Sequence, residues 1–309
     1  MRIIAAGLLL TVLAAPAAAQ FQDSAGNCFT GTGSFRLDIR ECSIALADPA
    51  LADASRASLR AMRGRAYMES GALDAAVADF DAALVLNPAS AFALTERGRA
   101  RHKAGDNEAA LRDYDAALSL SPQYAIAMRN RGVAHLFTGR LEEAAADFDT
   151  AIAAVRYDPS SIALRGIVRY LQGDDARAAA DISTTLEQSY PWPQGALWRY
   201  LAQRRSGMDG QADLRRYREE MKPGEWPIPL IKTFLGEQDT DAALAAARQA
   251  PAADRSRQIL EAGFYLGERA RLNGDVDTAR KLLEAVIAEG PKDAVERAAA
   301  KHAISTLKR

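Results

Sequence analysis

The stretch RGRARHKAGDNEAALRDYDAALSLSP (97–122) decides the fold. It sets glycine at 98 and 105, alanine at 110 and 117, an acid–ring pair at Asp113-Tyr114 and proline at 122. Each of these features recurs at a fixed step. Gly64, Gly98, Gly132 and Gly166 lie 34 residues apart, each preceded by an arginine: Arg63, Arg97, Arg131 and Arg165. Gly71, Gly105, Gly139, Gly173 and Gly207 keep the interval, as do Ala76, Ala110, Ala144, Ala178 and Ala212. Asp79, Asp113, Asp147 and Asp181 are followed by Phe80, Tyr114, Phe148 and Ile182. Ala83, Ala117 and Ala151 form a further column, and Pro88 and Pro122 close the first two units. So many columns in one register exceed what an alanine-rich composition produces, and self-similarity at this period marks a stacked repeat.

Elementary packing gives each column a task. Small residues near mid-helix let two antiparallel helices approach closely. The second glycine falls where a first helix ends, a place for a left-handed cap. The ring fills the space between a repeat and its neighbour, and the proline stops the second helix. The Arg–Asp columns predict a recurring ion pair within or between units; on an exposed surface each pair is worth about 0–1 kcal/mol.

These residues at this interval resemble the tetratricopeptide repeat through about 57–190. The resemblance implies an all-α fold, a right-handed α-α superhelix of antiparallel helix pairs with a C-terminal capping helix, whose function is to bind other proteins. The flanks extend the pattern. Phe35 to Pro49 resembles the second helix of a partial repeat, with Cys42 in the small column and Leu46 in the ring column. A fifth, degenerate unit is expected over 193–221, with Gly207 and Ala212 in place and Arg216 at the ring position. KPGEWPIP (222–229) cannot be continuous helix. Its Trp226 is either a docking surface or an internal wedge. Short helices should follow to 259, then a repeat-like pair with Gly267, Gly274, Ala279 and Leu283 in the columns, and an amphipathic last helix over 293–308.

At the other end, MRIIAAGLLLTVLAAPAAAQ (1–20) has an early arginine, an uncharged apolar run and small residues at 17 and 19. This pattern predicts a signal peptide over 1–19, and the apolar run falls short of the roughly 20 residues of a spanning helix. Gln20, not a cysteine, follows, so a lipid-attached N-terminus is not expected. The expected location is exported, periplasmic and soluble. Cys28 and Cys42, the two cysteines of the chain, then meet an oxidising compartment, and a disulfide tying down 20–56 is expected.

The C-terminal third resembles NlpI-type periplasmic lipoproteins through LWRYLAQRR (197–205), EWPIPLIKTFLGE (225–237) and EAGFYLGERARLNGDVDTARKLLEAVI (261–287). Those proteins are adaptors that bring envelope substrates, notably cell-wall hydrolases, to a periplasmic protease. The resemblance implies a role in envelope proteostasis or peptidoglycan remodelling, with an envelope protease or its substrates as partners.

In the repeat family the first helix of each pair lines a concave groove. The matching positions here are Arg65 and Met68; Phe92, Thr95, Glu96, Arg99 and His102; Arg129, Asn130, Val133 and Leu136; and Ile167 and Tyr170. Such a groove runs from cationic (Arg65, Arg99, Arg129) to apolar (Val133, Leu136, Ile167, Tyr170), complementing an extended peptide with an acidic and an apolar end. The family's carboxylate clamp for chaperone tails is matched only at Asn130.

Composition excludes other classes. Lys+Arg 39 against Asp+Glu 40 leaves no basic surplus for nucleic acid. His102, His135 and His302 lack a metal spacing, and no H-E-x-x-H or G-x-S-x-G motif occurs. GNCFTGTGS (26–34) lacks the lysine of a phosphate loop. No catalytic residue, metal site or cofactor is expected. The reading is a non-enzymatic exported adaptor. A structural part of an envelope assembly and a cell-wall hydrolase are the alternatives, and homo-oligomerisation is open.

Overall fold

The computed structural model describes residues 7–188 and 192–307. Of the expected leader, residues 1–6 lie outside the described residues. Every regular element described is a helix. The chain divides into two compact units between Gln123 and Tyr124, a point inside the expected array of four repeats at 57–192.

Unit 1 contains α1 (Gly7–Thr30), α2 (Phe35–Leu46), α3 (Asp53–Glu69), α4 (Leu73–Leu86), α5 (Ala91–Ala104) and α6 (Asn107–Leu120). They pack as successive hairpins: α1 on α2, α3 on α4, α5 on α6. The column glycines explain the closeness of each pair. A Cβ at Gly64 would lie 2.9 Å from the Phe80 ring, and one at Gly98 2.6 Å from Tyr114. Each ring therefore sits on the glycine of its own hairpin as well as in the stack, and Phe80 and Tyr114 are fully buried. Gly105 caps α5 with φ 92, the left-handed conformation a side chain would strain. Cys28 and Cys42 form a disulfide joining α1 to α2, and both are buried with Ala45 and Leu59. Cys42 fills its small-residue column, while Leu46 is only partly covered.

Unit 2 begins with the same architecture: α7 (Ala125–Phe137), α8 (Leu141–Ala154), α9 (Pro159–Gln172) and α10 (Asp175–Glu187). Gly132 faces Phe148 and Gly166 faces Ile182, each at 2.9 Å from a built Cβ. Then the register fails. In the pair α11 (Gly195–Arg205) and α12 (Gln211–Glu220), Ala212 and Arg216 are exposed and Leu214 is the buried contact. The expected fifth repeat is thus a hairpin whose second helix is out of phase, because Gly210 takes φ 68 and resets the turn. The segment after it turns inward. Ile228 is buried, and Trp226 donates to Glu261, so this stretch is a wedge within the unit. Short helices α13 (Ile228–Phe234) and α14 (Thr240–Arg248) lead to the pair α15 (Ala252–Leu272) and α16 (Val276–Glu289), where Gly267 again meets Leu283 at 2.9 Å. The last helix, α17 (Val295–Thr306), buries Ala298 and Ala299 as expected of a cap. It also reaches back to pack on α7 and α9, which hydrophobic patterning did not foretell.

The Arg–Asp columns form ion pairs at 2.7 Å (Arg63–Asp79), 2.6 Å (Arg97–Asp113), 2.6 Å (Arg131–Asp147) and 2.7 Å (Arg165–Asp181). They are not surface pairs: the four carboxylates are buried within their hairpins. Removing one partner of a buried pair costs about 3–5 kcal/mol, not the fraction expected on a surface. Some of these arginines also reach the preceding hairpin, Arg97 to Asp81 at 2.5 Å and Arg165 to Asp149 at 2.6 Å. One side chain thus fixes both the pairing within a repeat and the stacking between repeats.

Candidate functional site

The groove candidates divide between the units. Arg65, Phe92 and Arg99 lie on the first helices of unit 1; Arg129, Asn130, Val133, Leu136, Ile167 and Tyr170 lie on those of unit 2. In unit 1, Glu96 is 4% exposed and draws both arginines toward it. Arg99 holds it at 2.8 Å, and Arg65 stands off at 3.8 Å with half of its side chain exposed. Two guanidiniums on one carboxylate leave a net positive charge on this face. Phe92 is partly exposed and lines a small cavity of about 80 Å³ with Ala57, Ala61 and Met62. Met68 and Thr95 are buried instead of facing outward.

In unit 2 the expected apolar end of a groove is closed. Leu136, Ile167 and Tyr170 are buried, at 3%, 4% and 1% exposure, within the main core. The cover is the chain itself: α17 on α7 and α9, and α15 on α11. Tyr170 shows how firmly it is seated. Its hydroxyl donates to Glu268 of α15, and Arg271 holds the same carboxylate at 2.6 Å. Arg205 lies over the Tyr170 ring at 4.2 Å, and Trp198 meets its edge at 5.5 Å. Burial and the Glu268 charge push the tyrosine pKa up. Leu136, Ile167 and Tyr170 are therefore core residues, because helices distant in sequence supply the apolar partner that a peptide was expected to supply.

Arg129 is also engaged. It reaches both oxygens of buried Asp158 at 3.2 Å, and Asp158 in turn caps α9 through Ser161. Val133 is partly buried against the core. Asn130 Nδ2 is buried with no hydrogen-bond partner among the described residues.

The pattern-based reading missed two carboxylates. Glu261 and Glu268 stand one heptad apart on α15 and are 1% and 0% exposed. The signal was present as acids inside the apolar run EAGFYLGERARL (261–272). Glu261 accepts from Gln194 at 2.9 Å, Trp226 at 2.5 Å and Arg257 at 2.8 Å. Across from it, burial and the Glu261 charge raise the Glu296 carboxyl to about 7. His135 is pushed down by burial despite Asp147. Among the described residues no group of His, Cys, Asp and Glu is arranged to hold a metal ion. No described helix is long and apolar enough to cross a membrane.

Two tetratricopeptide repeat models match the sequence, one at 57–90 and the other at 95–159 and 229–294. Together these stretches exceed half of the 309 residues. The chain belongs to the tetratricopeptide repeat family. Its second matched stretch includes α13 and α14 as well as the α15–α16 hairpin, whereas α11 and α12 lie outside both matches. No curated protein matches it. A solved tetratricopeptide repeat protein from Parabacteroides merdae is similar at 15% identity and TM-score 0.56, over 93% of this chain and 99% of that one. MamA shares 22% identity at TM-score 0.47, over 55% and 91%. The first such domain of Spaghetti (RPAP3), solved with the HSP90 peptide SRMEEVD, shares 20% at TM-score 0.37, over 38% and 93%. At these identities the likeness to the Parabacteroides protein establishes the fold. Tetratricopeptide repeats mediate protein–protein interactions, and this one presents two unlike first-helix faces, one with accessible cationic groups and one under its own C-terminal helices.

Proposed function

We propose that this chain is an exported adaptor that holds an extended, acidic polypeptide on the first-helix face of unit 1. The observation that carries the reading is Arg65: half exposed, loosely paired with Glu96, and on the same helical face as Arg99 and partly exposed Phe92. An incoming carboxylate can take over Arg65 without stripping Glu96 of Arg99. Export is supported by the leader-like 1–19 and the buried Cys28–Cys42 disulfide. Presentation of envelope substrates to a protease is supported by the resemblance of 197–287 to periplasmic adaptors.

The test is fluorescence anisotropy with a labelled hexaglutamate peptide. Arg65→Glu should weaken binding about tenfold, equivalent to about 1.4 kcal/mol, with the circular dichroism unchanged. Unchanged affinity would remove the face from consideration. For the finer role, the purified protein should alter a periplasmic protease's rate on an envelope hydrolase while turning over neither peptide nor glycan alone. N-terminal sequencing of the envelope fraction should begin at Gln20; intact Met1 there would contradict export with cleavage.

A further inference from the structure

A cavity of about 520 Å³ remains in unit 2 beside α9, and the adaptor face does not use it. Leu164, Ile167 and Leu260 supply apolar wall, Trp192 and Trp198 supply aromatic wall, and Glu296 lines it as well. The local charge is unbalanced. Arg257, whose side chain is 72% exposed, is paired with Glu261. Glu296 has no ion pair among the described residues; its side-chain hydrogen-bond donor is the Tyr265 hydroxyl at 3.5 Å. Asp293 adds a further acid to the lining. Apolar walls with aromatic faces and a carboxylate that Arg257 attracts but does not bond suit a long apolar stem ending in a cation.

We propose that this cavity seats a lysine or arginine side chain of a partner polypeptide. The stem lies along Leu164, Ile167, Leu260 and Trp192, and the cationic head pairs with Glu296. The preference is opposite in sign to that of the unit 1 face, so the two sites select different parts of a partner, or different partners.

The chain contains three tryptophans. Two line the cavity and Trp226 is bonded to Glu261, so intrinsic emission reports on this site. The full chain is titrated at pH 8 with the capped pentapeptide acetyl-Ala-Leu-Lys-Leu-Ala-amide and with its norleucine counterpart. The lysine peptide should shift the emission saturably and bind about tenfold tighter than the norleucine peptide. Glu296→Gln should erase that difference, and Arg65→Glu should leave it intact, separating this site from the unit 1 face. Equal affinity for the two peptides, absence of a saturable response, or an undiminished preference in a folded Glu296→Gln variant overturns the proposal. The comparison of peptides on the unaltered protein decides the matter even where the variant does not fold.

Discussion

The first-helix face of unit 1 and that of unit 2 are built from the same repeat and meet different fates. In unit 1, α3 and α5 leave Arg65, Phe92 and Arg99 at least partly exposed. In unit 2, Val133 and Ile167 stand at the positions of Arg65 and Arg99, Val133 partly buried and Ile167 buried, and α15 and α17 return over α7, α9 and α11. A repeat thus determines its own hairpin but not what covers its inner face. Side chains at the facing positions adapt accordingly: charged and accessible in one case, apolar and satisfied in the other.

Breaking the cover of unit 2 should have the largest effect. Glu268→Ala removes the buried carboxylate that pairs with Arg271 and accepts from the Tyr170 hydroxyl, and should cost about 3–5 kcal/mol in chemical denaturation. Hydrogen exchange should rise in α9 and α15 and stay unchanged in α3 to α6; loosening of both units alike would erase the distinction. The matching change in unit 1 is Cys28→Ser with Cys42→Ser. Opening a loop of this length should cost about 3 kcal/mol in the chain-entropy picture, read as a lower denaturation midpoint with the effect confined to α1, α2 and α3.

Acidity sharpens the contrast. The folded chain holds the Glu296 proton up to about 7, above the ordinary 4.5. The folded state therefore binds this proton more tightly than the unfolded state, and the stabilisation is complete below about 4.5 and lost as the pH rises through about 7. Glu296→Gln should match the parent near pH 5 and exceed it by about 2 kcal/mol at pH 8, measured by urea denaturation at both values. A pH-independent difference would place Glu296 in water. The smallest effect belongs to unit 1: Ser90 caps α5 by accepting from Ala93 N at 3.1 Å, and Ser90→Ala should cost about 1 kcal/mol without altering exchange in unit 2.

Much of the fold was legible because the repeat is local. Gly98 and Tyr114 are 16 residues apart, and so are Arg97 and Asp113, so one hairpin closes both contacts and the pattern is written within each period. The disulfide was legible for a similar reason, two cysteines in one short span. The site was less so. Tyr170 and Glu268 are 98 residues apart, and no periodicity links them. The family positions put Tyr170 on an inner face and carried no sign of Glu268, to which its buried hydroxyl donates. Arg129 was read as part of the cationic end of the groove, and its partner, Asp158, stands outside the repeating columns, where the third unit's proline arrives late at Pro159. Ala212 left its column for a local reason: left-handed Gly210 precedes α12, and Leu214 is buried in its stead.

The claim that the C-terminal helices occupy the inner face of unit 2 rests most directly on the Tyr170–Glu268 contact, and a double-mutant cycle measures it. Tyr170→Phe, Glu268→Gln and the pair are unfolded in urea under identical conditions. Occupancy predicts a coupling energy of about 1–2 kcal/mol between residues so far apart in sequence. Additive effects, with coupling below about 0.3 kcal/mol, would contradict it and return Tyr170 to an open groove.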